Sequence, residues 1–315
     1  MSNKATILDS FLQAQGFVVL DGALATELEA RGADLNHALW SAKLLNENPA
    51  LIKEVHMDYL HAGANIITTA TYQASFLGFE NQGHTKEEAI QLMQLSLKIA
   101  EEAREAYLQS NKERQLLKPL IAASIGPYGA AKADGSEYTG YVGVTIEELI
   151  EFHSARLALL VQSGADLIAF ETIPCIDEAI AIKTLLESYS GVQAWVSFSC
   201  KNDTQLSSGE SFKEAVSILN KADGIIAVGV NCTAPQYISS LVQIAKQNTN
   251  QFIIVYPNKG EQYNAVLKQW ESNQNCNVDF LNQAKLWIAS GAKIIGGCCR
   301  TSPLNIKQLS QLSVS

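Results

Sequence analysis

Short apolar runs recur along the chain, and most are continuous rather than alternating. They are FVVLD at 17–21, NIITT at 65–69, PLIAAS at 119–124, LIAFE at 167–171, AWVSFS at 194–199, IIAVGVN at 225–231, FIIVY at 252–256 and KIIGG at 293–297. A strand covered on both faces has no polar side to display, so the pattern predicts buried parallel strands. The segments between them carry helix start and stop signals. In NPALIKEVHMDYLHAG, Asn48 suits the cap, Pro49 the first helical position and Gly63 the exit. Thr85 with Glu88, Thr145 with Glu148 and Ser211 with Glu214 have the spacing of reciprocal N-terminal caps. In QSGADLIAF (162–170) and ASGAKIIGG (289–297) a helix ends at glycine and a strand starts almost at once.

Eight β-then-α units in 315 residues predict a (β/α)8 TIM barrel, one domain over residues 1–315, rather than an open doubly wound sheet. No G-x-G-x-x-G follows the first strand and no Walker loop is present, which removes support for a nucleotide-binding sheet. In a barrel the chemistry belongs to the loops that follow the strands. Three of these are long: ATYQASFLGFENQG after the second strand, IGPYGAAKADGSEYTGYVG after the third and PNKGEQYNAVLKQWESNQNC after the seventh. Their Tyr, Phe and Trp content disfavours disorder, so they are expected to roof a pocket.

Composition mainly excludes. The chain is 47% hydrophobic and 17% charged, ordinary for a globular protein. A net charge of −9 without a Lys/Arg stripe argues against nucleic acid and against an anionic membrane surface, leaving a small molecule as the expected partner. No run of 18 apolar residues occurs, and MSNKATILDSFLQ lacks the layout of a secretory signal, so a cytoplasmic protein is expected. The five histidines, 37, 56, 61, 84 and 153, form no H-E-x-x-H and end no strand; they read as surface or helix residues.

The six cysteines, 175, 200, 232, 276, 298 and 299, are then expected to be thiols. Cys232 ends the sixth strand in GVNC, and Cys298 and Cys299 end the eighth in GGCC, so all three fall at one rim. Three thiolates with an open fourth position suit a catalytic Zn2+ site. Gly296 and Gly297 would supply the turn that lets neighbours ligate together. Two other readings stand beside this one: small apolar core residues, and a vicinal disulfide at 298–299. Cys175, Cys200 and Cys276 read as structural.

The motifs DGALATELEARG, FET, GVNC, YPN and GGCCRTSP, in that order over nearly the whole chain, resemble a homocysteine S-methyltransferase. The longer matches DGALATELEARGADLNHALWSAKLL, GPYGA with ADGSEYTG, and VYPNKGEQYNAVLKQW are similar to the S-methylmethionine-dependent type. The resemblance implies a zinc-dependent barrel whose metal ligands match Cys232, Cys298 and Cys299. It also implies methyl transfer from S-methylmethionine, with S-adenosylmethionine as a further donor, to homocysteine. Betaine as donor, selenocysteine as acceptor and a non-catalytic zinc-binding protein are the alternatives. Asp21 and Glu171, at the ends of strands one and four, are expected to bind the ammonium of homocysteine or to steady a cationic donor, with a helix-capping role open for each; the resemblance supports substrate binding for both. Backbone amides of Ala23 and Leu24 are expected at the substrate carboxylate. Asn231 is expected to orient substrate or fill the metal's open position, or to serve a turn; Tyr72, Tyr128, Tyr256 and Trp270 are pocket candidates or plain packing. A monomer is expected, without a C-terminal oligomerisation arm.

Overall fold

A computed structural model describes residues 5–114, 116–260, 262–264, 269–271 and 279–312, with 262–264 and 269–271 described as backbone only. All eight apolar runs are strands: β1 (Val18–Val19), β2 (Ile66–Thr68), β3 (Leu120–Ile125), β4 (Leu167–Ile173), β5 (Ala194–Phe198), β6 (Ile225–Asn231), β7 (Phe252–Tyr256) and β8 (Ile294–Ile295). Each pairs in parallel with its neighbours in chain order, and β8 returns to β1 at Val18–Ile294 and Val19–Ile295. The ring closes between β1 and β2 through the parallel bridge Leu20–Ile66, where Asp21 N–H donates to Ile66 O at 3.0 Å and Asn65 N–H donates to Val19 O at 2.7 Å. This is the expected (β/α)8 barrel.

Two apolar layers follow from the pleat. Inward-facing Val18, Leu20, Ile66, Ala122, Ala169, Trp195, Ala227, Ile254 and Ile294 fill the barrel, with Leu8 and Phe11 joining the same cluster from the helix Asp9–Gln15 and its cap. Outward-facing Val19, Ile67, Ile121, Ile168, Val196, Val228 and Val255 pack against the helices. Alternate strand residues thus serve two cores, which is why the runs carry no polar period. Gly229 on β6 lies so close to β7 that a Cβ would overlap the Ile254 carbonyl.

The caps follow the sequence. Asn48 accepts from Leu51 N–H ahead of Pro49–His61, and Thr85 and Thr145 make full capping boxes with Glu88 and Glu148. Ser211 accepts from Glu214 N–H at 3.4 Å. The loop after β2 contains the helix Phe76–Asn81, and the loop after β3 contains Tyr128–Lys132 and the 3-10 turn Ser136–Tyr138. The loop after β7 contributes an antiparallel ribbon, Gln262–Asn264 with Gln269–Glu271.

Candidate active site

Three sulfurs meet at the C-terminal mouth of the barrel. Cys232 follows β6 with a φ of 46°, a left-handed conformation that non-glycine residues seldom adopt, and its N–H is tied to Tyr256 O at 3.3 Å. Cys298 N–H donates to Pro257 O at 2.8 Å, and Thr301 closes the turn by donating from N–H and Oγ1 to Cys298 O at 3.1 and 2.6 Å. Gly296 and Gly297 do not adopt positive φ; they are needed for space, since a Cβ would strike the Asp21 carbonyl at 296 and the Thr301 side chain at 297. The expected torsional role of these glycines is therefore corrected to one of close approach.

The ligating atoms of Cys232, Cys298 and Cys299 all lie within 4.8 Å of one another, the one such group of three potential metal ligands among the described residues. Cys299 Sγ is 4.0 Å from each of the other two. A tetrahedral zinc with ~2.3 Å bonds to sulfur sets sulfurs about 3.8 Å apart, so two edges of the triangle match. The third is shorter: Cys232 and Cys298 are in disulfide contact, with Cα atoms 5.6 Å apart. The expectation of thiols throughout is corrected at this pair, and the vicinal bridge between 298 and 299 is not the one formed. Strands β6 and β8 bring 232 and 298 face to face, whereas adjacent residues must fold a tight ring to do so. Burial pushes the Cys299 thiol up to about 12, so a cation is what would make it a thiolate. The donor set, sulfur only and partly buried, fits a soft or borderline metal. Cys175 and Cys200 are buried free thiols raised to about 12 or beyond by burial, as structural residues would be; Cys276 lies outside the described residues.

Two carboxylates stand beside the sulfurs. Asp21 is 3% exposed, and its Oδ2 accepts from Thr68 N–H at 2.7 Å and Thr68 Oγ1 at 3.0 Å, stitching the β1–β2 seam. Burial raises it to about 8, with the nearby Glu171 adding to the rise. Glu171 accepts from the Ser124 hydroxyl and bonds Tyr256; burial raises its pKa while these two contacts oppose the rise. Its charge is also felt at Asp21, Tyr72 and Cys299.

Other expected residues divide. Tyr256 is buried; its hydroxyl accepts from Trp195 Nε1 at 3.0 Å and lies 2.5 Å from Ser197 Oγ. Tyr72 hydrogen-bonds the Thr172 side chain and packs edge-on to Trp40. Tyr128 stacks edge-on with Tyr141 and Phe152, a packing position on the loop's own foundation. Ala23 N–H is taken by Thr301 Oγ1 at 3.2 Å, leaving Leu24 to begin the helix Leu24–Ala30. Asn231 is 1% exposed, and its Oδ1 accepts from Thr172 N–H at 2.7 Å and Ser197 Oγ at 2.9 Å. The Trp270 side chain lies outside the described residues.

The sequence reading missed a polar layer. Thr68, Ser124 and Ser197 interrupt apolar strands, and each binds a site residue; a hydroxyl inside a buried run is the signal that reveals them. It also missed a buried network behind the loops. Arg156 Nη2 donates to Gly126 O at 2.6 Å and to His153 Nδ1 at 3.2 Å, so His153 Nε2–H donates to Glu178 Oε1 at 2.8 Å. Glu178 further accepts from Tyr128 N–H at 2.8 Å and from the Tyr141 hydroxyl. Burial holds His153 well below its ordinary range, leaving the Arg156 guanidinium as the cation beneath the β2 and β3 loops.

Barrel and sulfur cluster together define a (β/α)8 enzyme able to hold a metal at its mouth. Residues 18–313 match the homocysteine S-methyltransferase family model. A Bacillus subtilis protein named homocysteine S-methyltransferase YbgG is 47% identical over 96% of this chain and 96% of its own length. A selenocysteine Se-methyltransferase from Brassica oleracea is 45% identical over 95% of this chain and 90% of its own. The crystal structure of the metallated homocysteine methyltransferase MmuM from Escherichia coli superposes with a TM-score of 0.85 at 40% identity, covering 96% of this chain and 98% of that one. The chain belongs to the homocysteine S-methyltransferase family and is a methyltransferase.

Proposed function

We propose that this enzyme, once the Cys232–Cys298 pair is reduced to two thiols, transfers a methyl group from S-methylmethionine, and secondarily from S-adenosylmethionine, to the sulfur of L-homocysteine, with Zn2+ held by Cys232, Cys298 and Cys299. In the transfer the donor's S–CH3 bond breaks as the acceptor's S–CH3 bond forms, the acceptor loses its thiol proton, and two methionines result from S-methylmethionine. The observation that carries the reading is the triangle of sulfurs with two edges of 4.0 Å. Bound zinc supplies deprotonation of a coordinated thiol.

That contribution is modest. A free thiol near pKa 8.5 is a few per cent ionised at neutral pH, so full ionisation is worth only about 2 kcal/mol. Alignment of thiolate and donor can contribute about 7–11 kcal/mol. Alignment is the task assigned to Asp21 and Glu171 at the acceptor's ammonium and to Tyr72 and Tyr256 beside them. Leu24 N–H remains for the carboxylate. Asn231 acts as a brace for Thr172 and Ser197 rather than as a ligand, and Trp270 is assigned to the pocket on its sequence position alone. The monomeric state and cytoplasmic location belong to the same reading.

A donor screen on zinc-loaded protein with homocysteine tests it. S-methylmethionine should exceed betaine in methionine formed; the reverse order overturns the donor assignment. Selenocysteine is the second acceptor to test, favoured by the 45% identity to the Brassica enzyme. Zinc retention without turnover on any donor would point to the non-catalytic alternative.

A further inference from the structure

Four buried side-chain oxygens on the loops above the barrel have no hydrogen-bond partner among the described residues, Ser136 Oγ, Asn258 Oδ1, Glu137 Oε2 and Gln73 Oε1, and the last two rest on one short helix. Buried acceptors are seldom left unmatched, so the pair points to a ligand that donates. They belong to different loops that meet at one short helix, Tyr128–Lys132. Gln73 follows β2, and its Nε2 donates to Ala130 O at 3.0 Å, which fixes the carboxamide. Glu137 follows β3; its backbone N lies so close to Gly129 that a Cβ at 129 would overlap it, and its carbonyl accepts from Ser199 Oγ at 2.9 Å.

The surrounding charges are also informative. The charge of Glu171 is felt at Cys299 and at Tyr72, and Tyr72 in turn feels Glu137 and Tyr138. Glu137 is therefore within electrostatic reach of Tyr72, on a loop other than the strand ends that carry Asp21 and Glu171. Asp21 and Glu171 are engaged by Thr68, Ser124 and Tyr256, whereas Glu137 Oε2 receives no described donor.

We propose that Glu137, assisted by Gln73, binds the α-ammonium of an amino-acid methyl donor and so selects sulfonium donors that carry an amine. This rests on the sulfonium-donor reading above. An ammonium brings N–H donors for both oxygens and a charge for the carboxylate. The sulfonium centre has no N–H or O–H to offer, and suits the faces of tyrosine rings instead.

The test compares S-methylmethionine with dimethylsulfoniopropionate, which keeps the sulfonium and carboxylate but lacks the amine. Zinc-loaded wild type and Glu137→Gln are assayed with each donor at saturating homocysteine, and the KM for homocysteine is measured separately. The expected result is a fall of about 10- to 100-fold in kcat/KM for S-methylmethionine, the loss of one charged hydrogen bond. The value for dimethylsulfoniopropionate and the homocysteine KM should be unchanged. An equal fall with both donors, no fall, or a raised homocysteine KM overturns the proposal. Gln73→Ala gives the same selective fall, smaller in size, and decides the matter if Glu137→Gln fails to fold. Wild type that is active on S-methylmethionine with an unchanged donor ratio in both variants defeats this proposal alone. Wild type inactive on S-methylmethionine defeats the donor reading itself.

Discussion

Thr172 and Asn231 are joined twice: Thr172 N–H donates to Asn231 Oδ1 at 2.7 Å, and Asn231 Nδ2 donates to Thr172 Oγ1 at 2.8 Å. Thr172 has a φ of 64°, an outlier for a β-branched residue, and is 1% exposed. The pair ties the residue after Glu171 to the residue before Cys232, crossing from β4 to β6 over the end of β5. Strained backbone of this kind persists where neighbours over-determine it, and here it is held beside the sulfurs.

Asn231→Ala should strip partners from Thr172 and Ser197 at once. The expected loss is about 2–4 kcal/mol of stability from buried groups left unmade, together with weaker metal retention because Cys232 is adjacent. Urea unfolding and metal content per chain measure the two effects; unchanged values in both would mean that the brace is dispensable.

Replacing the sulfurs should separate ligands from bystanders. Purified protein is expected to hold about one zinc per chain, and Cys232→Ser, Cys298→Ser and Cys299→Ser should each lose it. Cys175→Ser and Cys200→Ser should keep it. Elemental analysis after gel filtration gives the answer, and full retention by all three of the first set refutes the ligand assignment.

His56 makes the fold sensitive to acid. It is 1% exposed, neither ring nitrogen has a partner among the described residues, and burial lowers its pKa to about 4. The unfolded chain, near the ordinary 6.5, therefore binds the proton first as pH falls, and folding stability drops between about pH 6.5 and 4, by roughly 3 kcal/mol at the lower end. His56→Leu should flatten that limb while leaving pH 7.5 stability equal or slightly higher. Unfolding midpoints at pH 7.5 and 4.5 test this; parallel losses in wild type and variant exclude His56 as the cause.

Gly229→Ala should be among the most damaging single methyl additions in the barrel. Its Cβ meets main chain of β7 rather than a movable side chain, so the strands must part, at an expected cost above about 4 kcal/mol. Soluble yield and melting temperature report it, and a near-native melting temperature would contradict the close approach.

Much of the architecture was legible because barrel strands are short, local and buried on both sides. Each of the eight runs needed only its own apolar character to be found, and Asn48, Thr85 and Thr145 cap within three residues of themselves. The three sulfurs were legible for a related reason: strand ends in a closed ring share one rim, so Cys232 and Cys298–Cys299 had to converge once the ring was counted. Asn231 was located correctly at that rim, but its partners were not.

What the sequence determined, then, is the ring, its order and the identity of the residues at its mouth, since these follow from local burial and chain order. Tertiary structure alone decided which atoms satisfy which. That Asn231 braces Thr172, that Ala23 N–H goes to Thr301, that Tyr128 packs on Phe152 and that Arg156, His153 and Glu178 lie under the loops all depend on side-chain pairings 3 to 278 positions apart. A buried polar group takes whatever partner geometry supplies, and that geometry exists only after the barrel has closed.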